Sequence, residues 1–351
     1  MESAIPSHLR CPRSRQARAS ADYTPPYPAW VARLDPTVKQ VAMAYVGAQH
    51  RPGDAAAQAT ARAGIARLRA AASGADAPAH HDLAHYVDEA GYDTLVWVAY
   101  WDDPAALARW LATPALDAWW NADARLADGV GWFREIACPE AARFETLFST
   151  PDRFEGVARL TTELSGEIQE HAYWGGMRDR IALSQTDAMR GSGRPMATPH
   201  PGQRVRVQPA GNVALIRSGQ EWTETTGRER EIYLTEVEPV LREGMDFLRD
   251  HGASVGCHAN RYMTQLDEHF APLQKSYGLS WWQSLEHMER WSESHPTHVA
   301  IFGTFMRMVQ AMNFDLKLRL YHEVSVLRAE DQQFEYVGCH PRTGLLRAAA
   351  G

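Results

Sequence analysis

The chain has 351 residues, 45% of them hydrophobic and 23% charged, which is enough apolar material for one large core or two ordinary ones and excludes a disordered polymer. Its formal charge of −7 and pI near 6.1, with lysine and arginine scattered along the chain, leave no basic footprint for a nucleic acid. No apolar run is long enough to cross a membrane, and the opening residues are polar, Arg-rich and Pro-rich without a leader's apolar core, so we expect a cytoplasmic protein with a small-molecule partner.

Cys11, Cys138, Cys257 and Cys339 are too few for a disulfide framework. With no CxxC or CxxCH present, zinc ribbons, iron–sulfur clusters and covalently attached haem are excluded. Cys11 and Cys138 each precede a proline, which we read as coincidence.

Residues 1–36 form an N-terminal arm. After it, "QVAMAYVGAQH" alternates in part and reads as a strand. "DAAAQATARAGIARLRAAASG" is an Ala-rich helix with Ile65, Leu68 and Ala72 at helical spacing, Asp54 as N-cap and Gly74 as stop. "YDTLVWVAYW" is a β-branched and aromatic strand leading into the helix "DDPAALARWL", capped by Asp102 or Asp103 with Pro104 in its first turn. "FETLF" is a further short strand. The Gly-, Ser- and Pro-rich "GSGRPMATPHPGQ" (191–203) marks a linker between a first half at 37–190 and a second at 204–345. There, "GNVALIRSGQEW" reads as a strand and "REREIYLTEVEPVLREGMDFLRDHG" as an amphipathic helix kinked near Pro239. "HANRYMTQ" and "LKLRLYHEVSV" are strands.

"WDDPAALARW" (101–110) and "WQSLEHMERW" (282–291) both begin with Trp and end in Arg-Trp, each after a strand-like run. This points to a duplication. Two β-α-β-β-α-β halves give an α+β chain in which antiparallel sheets meet face to face with helices outside.

The sequence has no GxGxxG, P-loop, HExxH or GxSxG, which removes the usual support for dinucleotide, nucleotide, zincin and α/β-hydrolase chemistry. Histidines remain. His295 and His298 flank Pro296 at the start of an apolar helical run, where a neutral imidazole suits an axial ligand to haem iron. His322 is the one polar side chain on a strand face otherwise made of Leu316, Leu318, Leu320, Val324 and Val326, a setting for proton transfer near neutrality. Each histidine also has an ordinary structural reading, as a cap or a hydrogen-bonded core residue, that spacing alone does not remove. "EHAYWGGMRDR" sets a Gly175-Gly176 turn before Arg178 and Arg180, and "LIRSGQEW" places Ser218 beside Gly219.

Taken together and in this order, "MESAI", "CPR", "PPYP", "HAYWGGMRDR", "SQTD", "LIRSGQEW", "GMDFLRD", "SESHPTH", "LRLYHEVSV" and "CHPRTG" resemble the haem-containing aldoxime dehydratases nearly end to end. The resemblance implies a homodimer of haem b subunits with duplicated ferredoxin-like halves. These would form a face-to-face antiparallel sheet pair or barrel similar to chlorite dismutases and dye-decolourising peroxidases. It implies His298 as the proximal iron ligand, His322 as distal catalytic residue, Arg178 and Ser218 as distal polar groups, and Glu145 as an acidic partner behind that distal network. The activity implied is ferrous-haem-dependent dehydration of R-CH=N-OH to a nitrile, with the substrate nitrogen on iron and His322 acting as acid and then as base. A haem peroxidase or chlorite-dismutase-like enzyme and a non-catalytic haem sensor are the alternatives. The segment "MVQAMNFDLKL" departs from the family's pattern by a few extra residues between the two histidines, which bears on the shape of the substrate pocket.

Overall fold

The computed structural model describes residues 1–198 and 202–349; residues 199–201 of the expected linker lie outside the described residues. The first half runs β1 (Ala42–His50), α1 (Ala55–Ala71), β2 (His80–Val87), β3 (Asp93–Trp101), α2 (Pro104–Leu111), α3 (Pro114–Asn121), β4 (Gly131–Ala137) and β5 (Phe144–Phe148). A short helix, α4 (Gly176–Arg180), and strand β6 (Arg204–Val207) lead into the second half. This runs β7 (Val213–Glu221), α5 (Gly227–Ile232), α6 (Glu238–His251), β8 (Cys257–Leu266), β9 (Pro272–Trp282), α7 (Leu285–Ser294), α8 (Pro296–Ala311) and β10 (Arg319–Leu327). Strand β11 (Gln332–Val337) and α9 (Leu345–Ala349) close the chain.

The strands form one antiparallel, unclosed sheet in the order β5-β10-β7-β9-β8-β2-β3-β1-β4-β11-β6. Within it, β4-β1-β3-β2 and β10-β7-β9-β8 have the same ferredoxin-like order, so the expected duplication is present. Each half lends a strand to the other: β5, which follows β4, pairs with β10, and β11, which follows β10, pairs with β4. The Trp repeat occupies matching places. Trp101 and Trp110 lie 5.5 Å apart in the first half, and Trp282 and Trp291 lie 5.6 Å apart in the second.

The faces of the two halves that carry no helices meet in one core containing Tyr45, Val98 and Phe133 from the first and Leu215, Tyr277 and Trp281 from the second. Helices α1 to α3 cover the outer face of the first half through Ile65, Leu68, Trp110 and Trp120. Because both faces are covered, all nine residues of β1 are buried, and the clean alternation of a half-exposed strand is lost.

Local signals account for several ends. The Asp54 carboxylate accepts from the Ala57 amide at 2.9 Å to cap α1, and of the two aspartates before α2 it is Asp103 that caps, accepting from Ala105. The helix expected to kink at Pro239 instead passes through a π turn, Tyr233–Val237, and α6 begins with the proline in its first turn. The helical backbone runs unbroken through Glu238, so the proline's missing N–H interrupts the ladder just where the wider π turn accommodates it. The expected strand start at Leu316 is set back to Arg319, because the Glu229 carboxylate accepts from the Lys317 and Leu318 amides at 2.7 Å each. Among the described residues no helix is long and apolar enough to cross a membrane.

Candidate active site

Strands β10 and β7 place His322 directly opposite Ser218, with Leu147 of β5 on the other flank. Side chains alternate along a strand, so Ser218 and His322 emerge together on the face covered by α6 to α8. Beneath them, on the opposite face, Arg217 is fully buried. Its Nε and Nη1 donate to the Tyr321 and Tyr100 hydroxyls and its Nη2 to Asp82, each at 2.9 Å. The neighbouring Glu323 carboxylate accepts from Tyr100 at 2.7 Å and from the Val157 amide at 2.6 Å. These bonds lock the β7–β10 register, and the register sets the Ser218–His322 rung.

His322 Nε2 lies 2.9 Å from Glu145 Oε1 and 2.9 Å from Arg180 Nη2. One ring nitrogen cannot serve both at once: bare, it accepts from the guanidinium; protonated, it donates to the carboxylate. Glu145 and Arg180 are themselves paired, Nε to Oε2 at 2.5 Å, with side chains 1% and 3% exposed. Burial pushes the Glu145 carboxyl up, but Arg180 and His322 outweigh it and its pKa ends below the ordinary value. Arg180 also donates to the Glu170 carbonyl at 2.8 Å.

Arg178 and Arg180 leave α4 in opposite directions, as positions two apart on a helical turn must. Arg180 reaches His322. Arg178 instead pairs with Glu289 on α7 (Nη2 to Oε2, 2.6 Å) and donates to the Ala188 carbonyl at 2.8 Å. The turn before α4 depends on Gly175, whose φ of 97° is left-handed and whose added Cβ would come within 2.5 Å of the Arg18 side chain. Nothing in the sequence separates the two arginines; only the start point of this five-residue helix does.

The two histidines of "SHPTH" also divide. The His295 ring caps α8, its Nδ1 lying 2.9 Å from the Thr297 hydroxyl. His298 stands one turn further on, between Trp291 (4.8 Å, edge-on) and Trp174 (5.8 Å). Burial pushes its pKa down to about 4, with only the Ser292 backbone pulling the other way. It is therefore neutral at physiological pH, with the Ser292 backbone as the partner of its buried nitrogen.

Two apolar clusters flank the rung on this face. One joins Val324 and Val326 to α6 and α7 through Leu241, Met245, Met288 and Trp291. The other joins Leu318 to Met308 of α8, Val237 and Tyr233. Helix α8 spans both, with Ile301 against the first and Phe305 against the second. Between them Ile216, Ser218, Leu320 and His322 remain only partly buried. A neutral imidazole turned by one nitrogen to the Ser292 backbone, which leaves the other for a metal, tryptophan and phenylalanine walls, and a polar rung suit a haem held by one histidine.

This fold and donor set define a class of haem enzymes. Residues 44–345 match the family model of the haem-containing dehydratases, and the chain belongs to that family of lyases. Within it, the chain is 48% identical to an aliphatic aldoxime dehydratase of Rhodococcus globerulus, over 99% of this chain and 98% of that one. It is 47% identical to another from Pseudomonas chlororaphis, over 99% of each. The phenylacetaldoxime dehydratase of Bacillus sp. (strain OxB-1) is 32% identical over 93% of this chain and 92% of its own. A crystal structure of an aldoxime dehydratase in complex with butyraldoxime, 47% identical, superposes with a TM-score of 0.95 over 99% of this chain and 97% of that one.

Proposed function

We propose that the protein converts aldoximes, R-CH=N-OH, to nitriles and water, with aliphatic aldoximes preferred. The observation that carries this is the Ser218–His322 rung backed by Glu145 and Arg180 and spanned by the helix that bears His298. In this reading His298 holds haem b, which when bound supplies electron density to the oxime nitrogen as the N–O bond breaks. Hydroxide is a poor leaving group, so the oxygen must be protonated as it departs. His322 has Nε2 turned to Glu145 and Arg180, which leaves Nδ1 to give that proton. Ser218, across the rung, orients the hydroxyl, and Arg180 holds the imidazole beside it. The Glu145 carboxylate stabilises the imidazolium before transfer, in the manner of a carboxylate behind a catalytic histidine. The freed Nδ1 lone pair then takes the aldehydic proton, and the ring returns to its starting state. The same reading carries a cytoplasmic homodimer acting in nitrile biosynthesis.

The similarity to aliphatic enzymes at 47–48% identity, against 32% for the phenylacetaldoxime enzyme, supports the alkyl preference. The test is anaerobic. Dithionite-reduced holoenzyme given butyraldoxime should form butyronitrile with a shift of the Soret band, and ferric enzyme should not. Haem binding without nitrile, or peroxidation of a phenol at a comparable rate, would overturn the reading.

A further inference from the structure

We propose that a crevice beneath the N-terminal arm is a water-filled proton path joining bulk solvent to His322 through Glu145; its catalytic meaning rests on the dehydratase reading above. The crevice, about 40 Å³, is lined at its outer end by the exposed His8 and Asp35 and at its inner end by the buried Glu145 and Arg180, but by neither His322 nor Ser218. Its walls are otherwise largely apolar, including Leu9, Val38, Phe144 and Ala182. That volume has room for about three waters, and waters persist where two or more polar groups receive them. The inner end offers such groups. Glu145 Oε1 is buried with only His322 Nε2, at 2.9 Å, beside it, which leaves a lone pair for a water, and Arg180 holds the other oxygen.

The roof is fastened. The Ser3 hydroxyl and the Ala4 amide both donate to the Glu170 carboxylate at 2.7 Å, while the Glu170 carbonyl accepts from Arg180. The arm is thus tied to the residue that positions Glu145.

The ring geometry gives the path its use. Nε2 meets Glu145, so the ring can be loaded from that nitrogen and, on the dehydratase reading, discharge from Nδ1. A crevice water passes a proton to the Glu145 carboxylate, which hands it to Nε2, forming the imidazolium. The reverse sequence returns it. No electrons move, and the dehydration itself consumes no net proton, so the path sets the protonation of His322 between turnovers.

The test uses the ferrous–carbonyl holoenzyme, which is diamagnetic, with ¹⁵N-labelled histidine, and reads the solvent exchange of the His322 Nε2 proton. Ala182→Leu and Ala141→Leu each fill the crevice from a different wall. Exchange should slow about tenfold or more in the filled variants, since it must then wait for local opening. Exchange at the wild-type rate in both would overturn the path. Should neither variant fold, a crystal structure of the wild-type holoenzyme decides. An ordered water within hydrogen-bonding distance of Glu145 Oε1 supports the path, and a dry crevice refutes it. Because the readout needs no turnover, wild-type enzyme that forms no nitrile would sink the dehydratase reading and leave the exchange result standing.

Discussion

Replacing Glu145 by glutamine keeps the shape of the Glu145–Arg180–His322 network and removes its one negative charge. The Glu145 and Arg180 side chains are 1% and 3% exposed and meet at 2.5 Å, so salt and water screen them little. Removing one partner of such a pair strands the other charge and costs about 3–5 kcal/mol. The glutamine carbonyl still accepts one N–H from Arg180, so we expect the low end, about 3 kcal/mol. Unfolding entropy of about 2.1 cal/mol/K per residue, taken over 351 residues, turns this into a fall in Tm of about 4 °C. The effect has a signed pH dependence. A carboxyl whose folded pKa is depressed, as here, stabilises the fold above its unfolded pKa of about 4.3 and loses that contribution as pH falls through the folded value. The difference between wild type and Glu145→Gln should therefore be full at neutral pH and close progressively in acid. Thermal unfolding of both holoenzymes by far-UV circular dichroism, at neutral pH and at a pH below about 4, measures it. A variant melting within about 1 °C of wild type at neutral pH, or a gap that widens in acid, would refute the charge-pair account.

His298→Ala should lose the Soret band on purification and regain it with added imidazole, whereas His295→Ala should keep the haem and lose about 1 kcal/mol of stability as a missing cap; haem titration separates them. His322→Asn should retain haem with an unchanged ferrous–carbonyl spectrum while kcat for butyraldoxime falls about 10²–10⁴-fold, the usual worth of a positioned acid–base group. Wild-type kcat in that variant would remove His322 from the reaction. Arg180→Met should destabilise the fold more than Arg178→Met, because its partner Glu145 is the more deeply buried acid. A nitrile assay on the Arg178 variant, with haem content matched, reports whether Arg178 reaches the substrate.

The residues that close local structure are legible in the chain itself. Asp54 and Pro104 mark helix starts because a cap and a fixed φ act within one turn, and the alternation from Leu318 to Val326 puts His322 on a face of known polarity because strand period is local. The repeated Trp-to-Arg-Trp segments announce a duplication, and the ordered motifs point to the family. Tertiary structure decides what depends on partners distant in sequence. Strand β2, with His80, His81 and His85 in it, carries no apolar pattern and becomes a strand only because β3 and β8 flank it. The exchange of β5 and β11 between halves brings Glu145 to His322, and no local signal encodes it. Likewise Ser218 meets His322 because Arg217, Tyr100 and Asp82 fix a register beneath them, and Arg180 takes His322 while Arg178 takes Glu289 through the phase of one short helix. Sequence period sets which face a side chain occupies; the pairing of strands and the phase of α4 set what it meets there.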